Sequence, residues 1–160
     1  TVNLNQSELN SMIKLADLKI GVVVTRWNDL ITNNLLRGST ETFTRMGGNL
    51  ENLTVIKIPG AFEIPLTCQV LAETGKFQAL VALGCVIRGE TPHFDYVAGE
   101  ASKGISQISL KYSVPIGFGI LTTENMEQAY DRAGGKAGNK GSEAMSTAIE
   151  MAEILSGLKK

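Results

Sequence analysis

The sequence is poor in the residues that bind structural metals and in charge of either sign. Its 160 residues include one His and two Cys, too few ligands for a conventional His/Cys zinc site. Lys plus Arg number 15 and Asp plus Glu 16, so no positive excess favours nucleic acid or an anionic membrane as a partner. No run of about 18 apolar residues predicts a transmembrane helix. We therefore expect a protein that acts on small molecules without a metal.

Cysteine and targeting signals are equally scarce. Cys68 and Cys85 both lie in apolar runs, which predicts two buried free thiols. A disulfide is the alternative, although nothing else in the sequence indicates an oxidising compartment. Residues Thr1 to Leu18 lack the charged-then-apolar pattern of a secretory signal. We expect a cytoplasmic protein, or a protein of the plastid stroma if the source is a plant.

The sequence is rich in β-branched apolar runs that alternate with helical patterns. The predicted strands are 19–25, 53–59, 79–87 and 114–121. The predicted helices are 29–46, 62–74, 92–112, 124–133 and 142–158. Two of the strands are almost continuously apolar, which is typical of parallel strands covered on both faces. The order βαβαβαβαα predicts one α/β domain over 19–160, a three-layer α/β/α sandwich with a central four-stranded parallel sheet. Residues 1–18 form a separate N-terminal segment that could pair with a neighbouring subunit.

Aromatic side chains follow or end several predicted strands. Because ligands of open α/β sheets bind beyond the carboxyl ends of the strands, we expect the site at this edge. Trp27, Phe62 and Phe118 could contact the faces of a flat heterocycle. For the two Phe, the alternative is that they cover the sheet core. Trp27 precedes Asn28 in a predicted turn, which favours a binding role.

The segment after the third strand is the densest in polar groups. Thr91 and Pro92 predict a helix start, with Thr91 as the cap and Pro92 in the first helical position. The backbone N–H groups of Gly89, Glu90 and Thr91 would then be available to a phosphate. His93 would lie in the first helical turn, where it could transfer a proton. The alternative is a structural or solvated histidine.

Two arginines are candidate anion ligands. Guanidinium groups match phosphate geometry. Arg88 directly precedes Gly89, and Arg132 precedes the glycine-rich stretch at 134–141. The alternative is a surface ion pair, Arg88 with Glu90 and Arg132 with Asp131. Motifs for a P-loop, a dinucleotide fingerprint and a serine nucleophile elbow are all absent from the sequence. The pattern therefore favours a site for a flat ring and a small phosphate, with acid–base chemistry.

Five motifs in order carry a resemblance that covers nearly the whole chain beyond Leu18. They are RWN at 26–28, PGAFEIP at 59–65, GCVIRGETPHFDYV at 84–97, GFGILTTENMEQA at 117–129 and DRAGGKAGNKG at 131–141. The sequence resembles the 6,7-dimethyl-8-ribityllumazine synthase family of riboflavin biosynthesis. The resemblance implies a flavodoxin-like fold and a transferase. It also implies condensation of 5-amino-6-ribitylaminouracil with 3,4-dihydroxy-2-butanone 4-phosphate, without a cofactor, and with loss of phosphate and water.

The resemblance also implies roles for individual residues. His93 would transfer the proton, Arg132 would bind phosphate from a neighbouring subunit, and Phe118 would come from that subunit too. Trp27 would stack on the pyrimidine, at a position that is more often Phe in the family. The other substrate-binding residues would be Asn28, Ala61, Phe62, Glu63, Cys85, Val86, Ile87, Arg88, Gly89, Glu90, Thr91 and Lys140.

The resemblance further implies a homo-oligomer with sites between subunits. Family members form pentamers, and many assemble a hollow, sixty-subunit icosahedral shell. The uninterrupted link at 134–141 favours the shell, and riboflavin synthase is a further possible partner. Two other functions stay open at this point. One is a non-catalytic shell protein that binds a flavin or lumazine, and the other is a monomeric mononucleotide binder.

Overall fold

The computed structural model describes residues 13–159, and the sheet at its centre has four parallel strands. These strands are β1 (Ile20–Thr25), β2 (Leu53–Ile58), β3 (Ala79–Ile87) and β4 (Ile116–Thr123). The helices are α1 (Asp29–Arg45), α2 (Ile64–Glu73), α3 (His93–Tyr112), α4 (Met126–Arg132) and α5 (Lys140–Leu158). The strand order is β2-β1-β3-β4 and every neighbouring pair is parallel. The predicted three-layer fold with a four-stranded parallel sheet is confirmed.

The sheet separates two apolar cores, which explains the uninterrupted apolar strands. All six residues of β1 and eight of the nine in β3 are buried, because helices cover both faces. Alternate side chains of each strand therefore point into different cores. One core contains Val22, Val24, Val81 and Leu83 with Leu35 of α1 and Met145 of α5. The other contains Val23, Leu80 and Ala82 with Ile64 of α2 and Ile105 of α3.

The fourth strand lies two residues further along the chain than the sequence predicts. Pairing with the long β3 continues as far as Ile87 opposite Thr123, so the strand ends at Thr123 instead of 121. Phe118 is consequently the third residue of β4, paired with Ala82 in the middle of β3. The expectation that Phe118 lies near the carboxyl end of its strand is wrong.

The predicted cap of α3 is also displaced. The helix begins at His93, and Pro92 occupies the cap position with no side-chain cap hydrogen bond. The N–H of Asp95 donates to the carbonyl oxygen of Pro92 (3.0 Å), so the first helical hydrogen bond starts one residue later than expected. Thr91 is therefore not the N-cap, although His93 does lie in the first helical turn.

The glycine-rich link between α4 and α5 is a small hairpin and not the plain loop that was expected. Strands β5 (Ala133–Gly135) and β6 (Gly138–Asn139) pair antiparallel, and α5 begins at Lys140, two residues earlier than expected. The start of α5 is fixed because Asn139 Oδ1 accepts from the N–H of Gly141 (2.8 Å) and of Ser142 (3.1 Å). Asparagine at an N-cap satisfies helix N–H groups in this way.

Helix α1 crosses the base of this hairpin at unusually short range. A Cβ atom at Gly141 would overlap the carbonyl of Leu35, and one at Gly38 would overlap the side chain of Asn139. The hydroxyl of Ser39 donates to the carbonyl of Gly141 (2.7 Å). The hairpin is therefore attached at its base to the body of the domain.

The N-terminal segment is described only from Ile13 onward. The N–H of Ile13 donates to Ser156 Oγ of α5 (2.9 Å), and Leu18 is buried in the core. The predicted pairing of residues 1–18 with a neighbour falls largely on residues outside the described part. None of the helices between residues 13 and 159 is both long and apolar enough to cross a membrane.

Candidate active site

A groove of about 660 Å³ lies beyond the carboxyl ends of β1, β2 and β3. It is lined by Thr25, Trp27, Asn28, Gly60, Ala61, Phe62, Glu63, Cys85, Val86, Ile87, His93, Tyr96 and Val97. Parallel strands end at one edge of a sheet, so segments far apart in the sequence meet there. The location is the one that the sequence predicts.

The aromatic wall of the groove comes from the turns after β1 and β2. Trp27 has 68% of its surface exposed and Phe62 has 60%. Such exposure is inconsistent with Phe62 as a cover for the sheet core. A Cβ atom at Gly60 would lie 3.9 Å from Trp27 Cε3 and 3.4 Å from Glu63 Oε2. The indole and the carboxylate therefore approach each other above this glycine, where a larger side chain would contact both.

The floor of the groove is the end of β3. Cys85 is buried at 6% exposure and Val86 at 9%. Cys85 and Cys68 are both free thiols, as predicted. Burial raises the pKa of Cys85 to about 11 and that of Cys68 to about 12. Both thiols are therefore protonated at neutral pH, and neither is suited to act as a nucleophile.

Helix α3 supplies the remaining wall. His93, its first residue, is exposed and borders the groove. Tyr96 and Val97 follow one helical turn later and line the same groove, and neither was predicted as a site residue. Their spacing of three and four residues from His93 was the available signal, since such positions share a helix face. Thr25 and Gly60 were also not assigned to the site.

Comparison with known proteins identifies the family to which the chain belongs. The family model described as 6,7-dimethyl-8-ribityllumazine synthase matches residues 17–156. The chain belongs to this family. The 6,7-dimethyl-8-ribityllumazine synthase of Desulfovibrio desulfuricans is 54% identical over 141 residues, which are 88% of this chain and 90% of the relative. The synthase of Campylobacter hominis is 52% identical over the same shares of both chains. Membership of the lumazine synthase family makes the chain an enzyme of riboflavin biosynthesis.

For a lumazine synthase, the position of Arg88 is unexpected. Its Nε lies 3.0 Å from Glu124 Oε2, its Nη2 lies 3.6 Å from Asp95 Oδ1, and its guanidinium lies 4.5 Å from the centre of the Phe94 ring. The side chain is thus engaged in surface ion pairs, although not with Glu90 as the alternative interpretation supposed. It does not line the groove.

Three other residues that the resemblance assigned to the site also lie outside this groove. Arg132 ends α4, is exposed, and donates from Nη1 to the carbonyl of Gln128 (3.0 Å). Lys140 begins α5 and is exposed. Phe118, on the edge strand β4, is 39% exposed. The supposed ion pair of Arg132 with Asp131 is not formed, because the Asp131 carboxylate lies 3.6 Å from Lys136 Nζ.

The loop between β3 and α3 carries the backbone groups that were predicted to bind phosphate. Gly89, Glu90 and Thr91 are exposed and lie beside the groove without lining it. The structure thus brings the aromatic, acidic and histidine residues together in one chain and leaves the cationic residues outside.

Proposed function

We propose that the chain condenses 5-amino-6-ribitylaminouracil with 3,4-dihydroxy-2-butanone 4-phosphate to 6,7-dimethyl-8-ribityllumazine, releasing phosphate and water. The observation that carries this proposal is the groove, where exposed Trp27 and Phe62 meet Glu63 and His93 in a member of the synthase family. The amine of the pyrimidine attacks the ketone, an imine forms as water leaves, phosphate is eliminated, and the second ring closes.

The pyrimidine occupies the part of the groove formed by β1, β2 and β3. An aromatic face at Trp27 stacks on a flat ring, and aromatic contacts of this kind contribute about 0.5–1.5 kcal/mol beyond area burial. Glu63, beside the indole, accepts hydrogen bonds from ribityl hydroxyls. Backbone groups of Cys85, Val86 and Ile87 bind the ring edge.

His93 transfers the proton during imine formation and phosphate loss. It is the only His in the sequence and borders the groove at the start of α3. The adjacent backbone N–H groups of Glu90 and Thr91 bind phosphate, because anions are stabilised at such positions before a helix. Holding both substrates in register supplies much of the rate, as expected for a reaction without a metal or covalent nucleophile.

The site is completed by a neighbouring subunit in a pentamer. Support comes from Arg132, Lys140 and Phe118, which are exposed and lie outside the groove of their own chain. Arg132 of one subunit binds the phosphate in the next, and Phe118 covers the ring there. The short hairpin at 133–139 favours assembly of pentamers into an icosahedral shell. Pairing of the N-terminal segment with a neighbour's sheet edge and the association with riboflavin synthase stay predictions.

The first experiment measures the reaction itself. Purified protein with both substrates is expected to produce a fluorescent pteridine and equal amounts of free phosphate. Sedimentation of the same sample is expected to show a pentamer or a larger assembly. Tight riboflavin binding without turnover would instead support a non-catalytic shell protein, and ligand capture by a monomer would support a mononucleotide binder.

The second experiment tests the shared site by mixing two impaired variants. His93→Ala lacks the proton donor in its own groove, and Arg132→Ala lacks the cation for its neighbour. In randomly mixed pentamers roughly a quarter of the interfaces combine an intact His93 with an intact Arg132. The mixture is expected to regain a corresponding part of wild-type activity. An inactive mixture of fully assembled variants would contradict sharing.

A further inference from the structure

The turn after β1 is hydrogen-bonded to both neighbouring strands. On one side the N–H of Trp27 donates to the carbonyl of Pro59, just beyond β2 (3.2 Å). On the other side Asn28 Nδ2 donates to the carbonyl of Cys85, near the end of β3 (3.1 Å). Because β1 lies between β2 and β3, these two bonds attach the turn across the width of three strands.

The conformation of Asn28 serves this attachment. Asn28 has φ 60° and ψ 48°, in the left-handed region, which asparagine tolerates better than most residues. It stands at the N-cap of α1, yet its side chain makes no cap hydrogen bond. An asparagine in this position normally accepts from the first N–H groups of the helix. Here its amide reaches Cys85 instead.

The indole that this turn carries has little other support. Trp27 is 68% exposed, so most of its surface makes no contact within its own chain. An exposed side chain with few packing contacts takes its position from its backbone. The bond from Asn28 to Cys85 therefore bears directly on where the indole lies relative to the floor of the groove.

We propose that Asn28 is a positioning residue, which fixes Trp27 against the end of β3 so that the indole meets the bound ring. The sequence assigned Asn28 to the substrate itself, whereas the structure directs its amide to Cys85. The identity of the ring as a pyrimidine rests on the proposed function. The attachment of Trp27 does not, and it is measurable without substrate.

Two variants separate the backbone from the amide. Asn28→Gly keeps the left-handed turn and removes the bond. Asn28→Asp keeps the side-chain shape but has no N–H to donate to Cys85. Trp27 is the only Trp in the sequence, so its fluorescence anisotropy in the unliganded protein reports its mobility directly.

We expect the anisotropy of Trp27 to fall in both variants. The KM for 5-amino-6-ribitylaminouracil is expected to rise about three- to tenfold, the effect of one hydrogen bond. The kcat and the KM for the butanone phosphate are expected to stay within about twofold of wild type, since the proposed role of Asn28 acts on the ring and not on the phosphate.

Asn52→Gly is the matched control. Asn52 Nδ2 donates to the carbonyl of Ala16 (2.9 Å), the same kind of bond, away from the groove. Asn52→Gly is expected to lower the melting temperature without changing Trp27 anisotropy or either KM.

Three results decide the outcome. Wild-type anisotropy and KM in both Asn28 variants would overturn the proposal. So would equal effects of Asn28→Gly and Asn52→Gly, because the bond would then contribute only stability. If the wild-type protein forms no lumazine but the anisotropy of Trp27 still falls in the Asn28 variants, the proposed function fails and the positioning role stands.

Discussion

The candidate site has two halves that differ in how the chain builds them. The ring half consists of Trp27, Phe62, Glu63 and the end of β3, and it is assembled within one subunit from three neighbouring strands. In the proposed function the phosphate half depends on Arg132, which lies on the exposed end of α4 outside the groove.

The difference follows from where each half is in the fold. Parallel strands in register bring their carboxyl ends to one edge whatever the rest of the chain does, so the ring half is a product of sheet topology. Cations on helix ends have no such constraint and stay in water until another surface approaches them. Under the proposed function, the groove of one chain can thus bind a flat ring, whereas the phosphate site forms only on assembly.

The largest expected effect is at the border of the two halves. His93→Ala is expected to lower kcat by about 10²–10⁴, the usual contribution of general acid–base catalysis. Ring binding, measured by quenching of Trp27 fluorescence, is expected to be nearly unchanged. Glu100→Gln, an exposed position on the same helix, is the control. Lost ring binding with retained kcat would place His93 in the ring half.

The next effect concerns the floor of the ring half. Since burial raises the pKa of Cys85 to about 11, its alkylation by iodoacetamide at pH 8 is expected to be about a hundredfold slower in the native protein than in denaturant. Labelling followed by mass spectrometry measures both rates. Rapid labelling of Cys85 in the native protein would mean that solvent reaches the end of β3, which forms the floor of the groove.

The same thiol predicts a pH dependence of stability. In the unfolded chain the thiol ionises near its ordinary value of 9.0, whereas in the folded protein it stays protonated to about 11. The free energy of unfolding is therefore expected to be insensitive to this group below pH 9 and to fall as the pH rises from about 9 to about 11. Denaturant titrations over a pH series measure this, because the wild type is expected to lose stability relative to Cys85→Ala only above about pH 9.

A smaller effect is expected in the phosphate half. Arg132→Gln is expected to lower kcat/KM for the butanone phosphate roughly thirtyfold, the strength of a charge-assisted hydrogen bond to an anion. The KM for the pyrimidine should change little. Lys136→Gln removes a nearby cation that is 77% exposed and pairs with Asp131. An equal loss in that control would show that general charge, and not Arg132, attracts the phosphate.

The smallest effect is expected at the arginine that the structure pairs within its own chain. Arg88→Gln breaks exposed contacts to Glu124 and Asp95, and such pairs contribute at most about 1 kcal/mol. Because Arg88 does not line the groove, the kcat/KM of the variant is expected to change less than about fivefold, which corresponds to about 1 kcal/mol. If Arg88→Gln were as harmful as Arg132→Gln, a complete phosphate half would exist inside one subunit and the contrast between the halves would fail.

Sequence reasoning recovered the fold and the edge of the sheet at which the groove lies, because both depend on patterns that are local. Apolar runs such as 79–87 identify the buried strands, and residues directly after a strand must lie at the site edge. Phe118 was misplaced because the end of β4 is set by pairing with β3, which is not visible in its own segment. The partners of Arg88 were missed because Glu124 lies on a different loop, brought close only by the folded sheet.

Other gaps have equally specific causes. The hairpin in 133–139 was expected to be a loop. Gly134 and Gly138 adopt positive φ values of 101° and 86°, and a glycine-rich composition alone does not show which glycines take this conformation. Tyr96 and Val97 were not predicted as site residues, although helical spacing places them on the same face of α3 as His93.

The close crossing at Gly38 and Gly141 has a consequence for how this lineage can vary. Two glycines about a hundred positions apart in the sequence must stay small together, because a methyl group on either would collide with the other segment. Natural insertions are therefore expected at the exposed tip around Lys136 and Ala137, where the chain is free to lengthen, and not at the base. Evolution can remodel the end of the hairpin while its point of attachment is held constant.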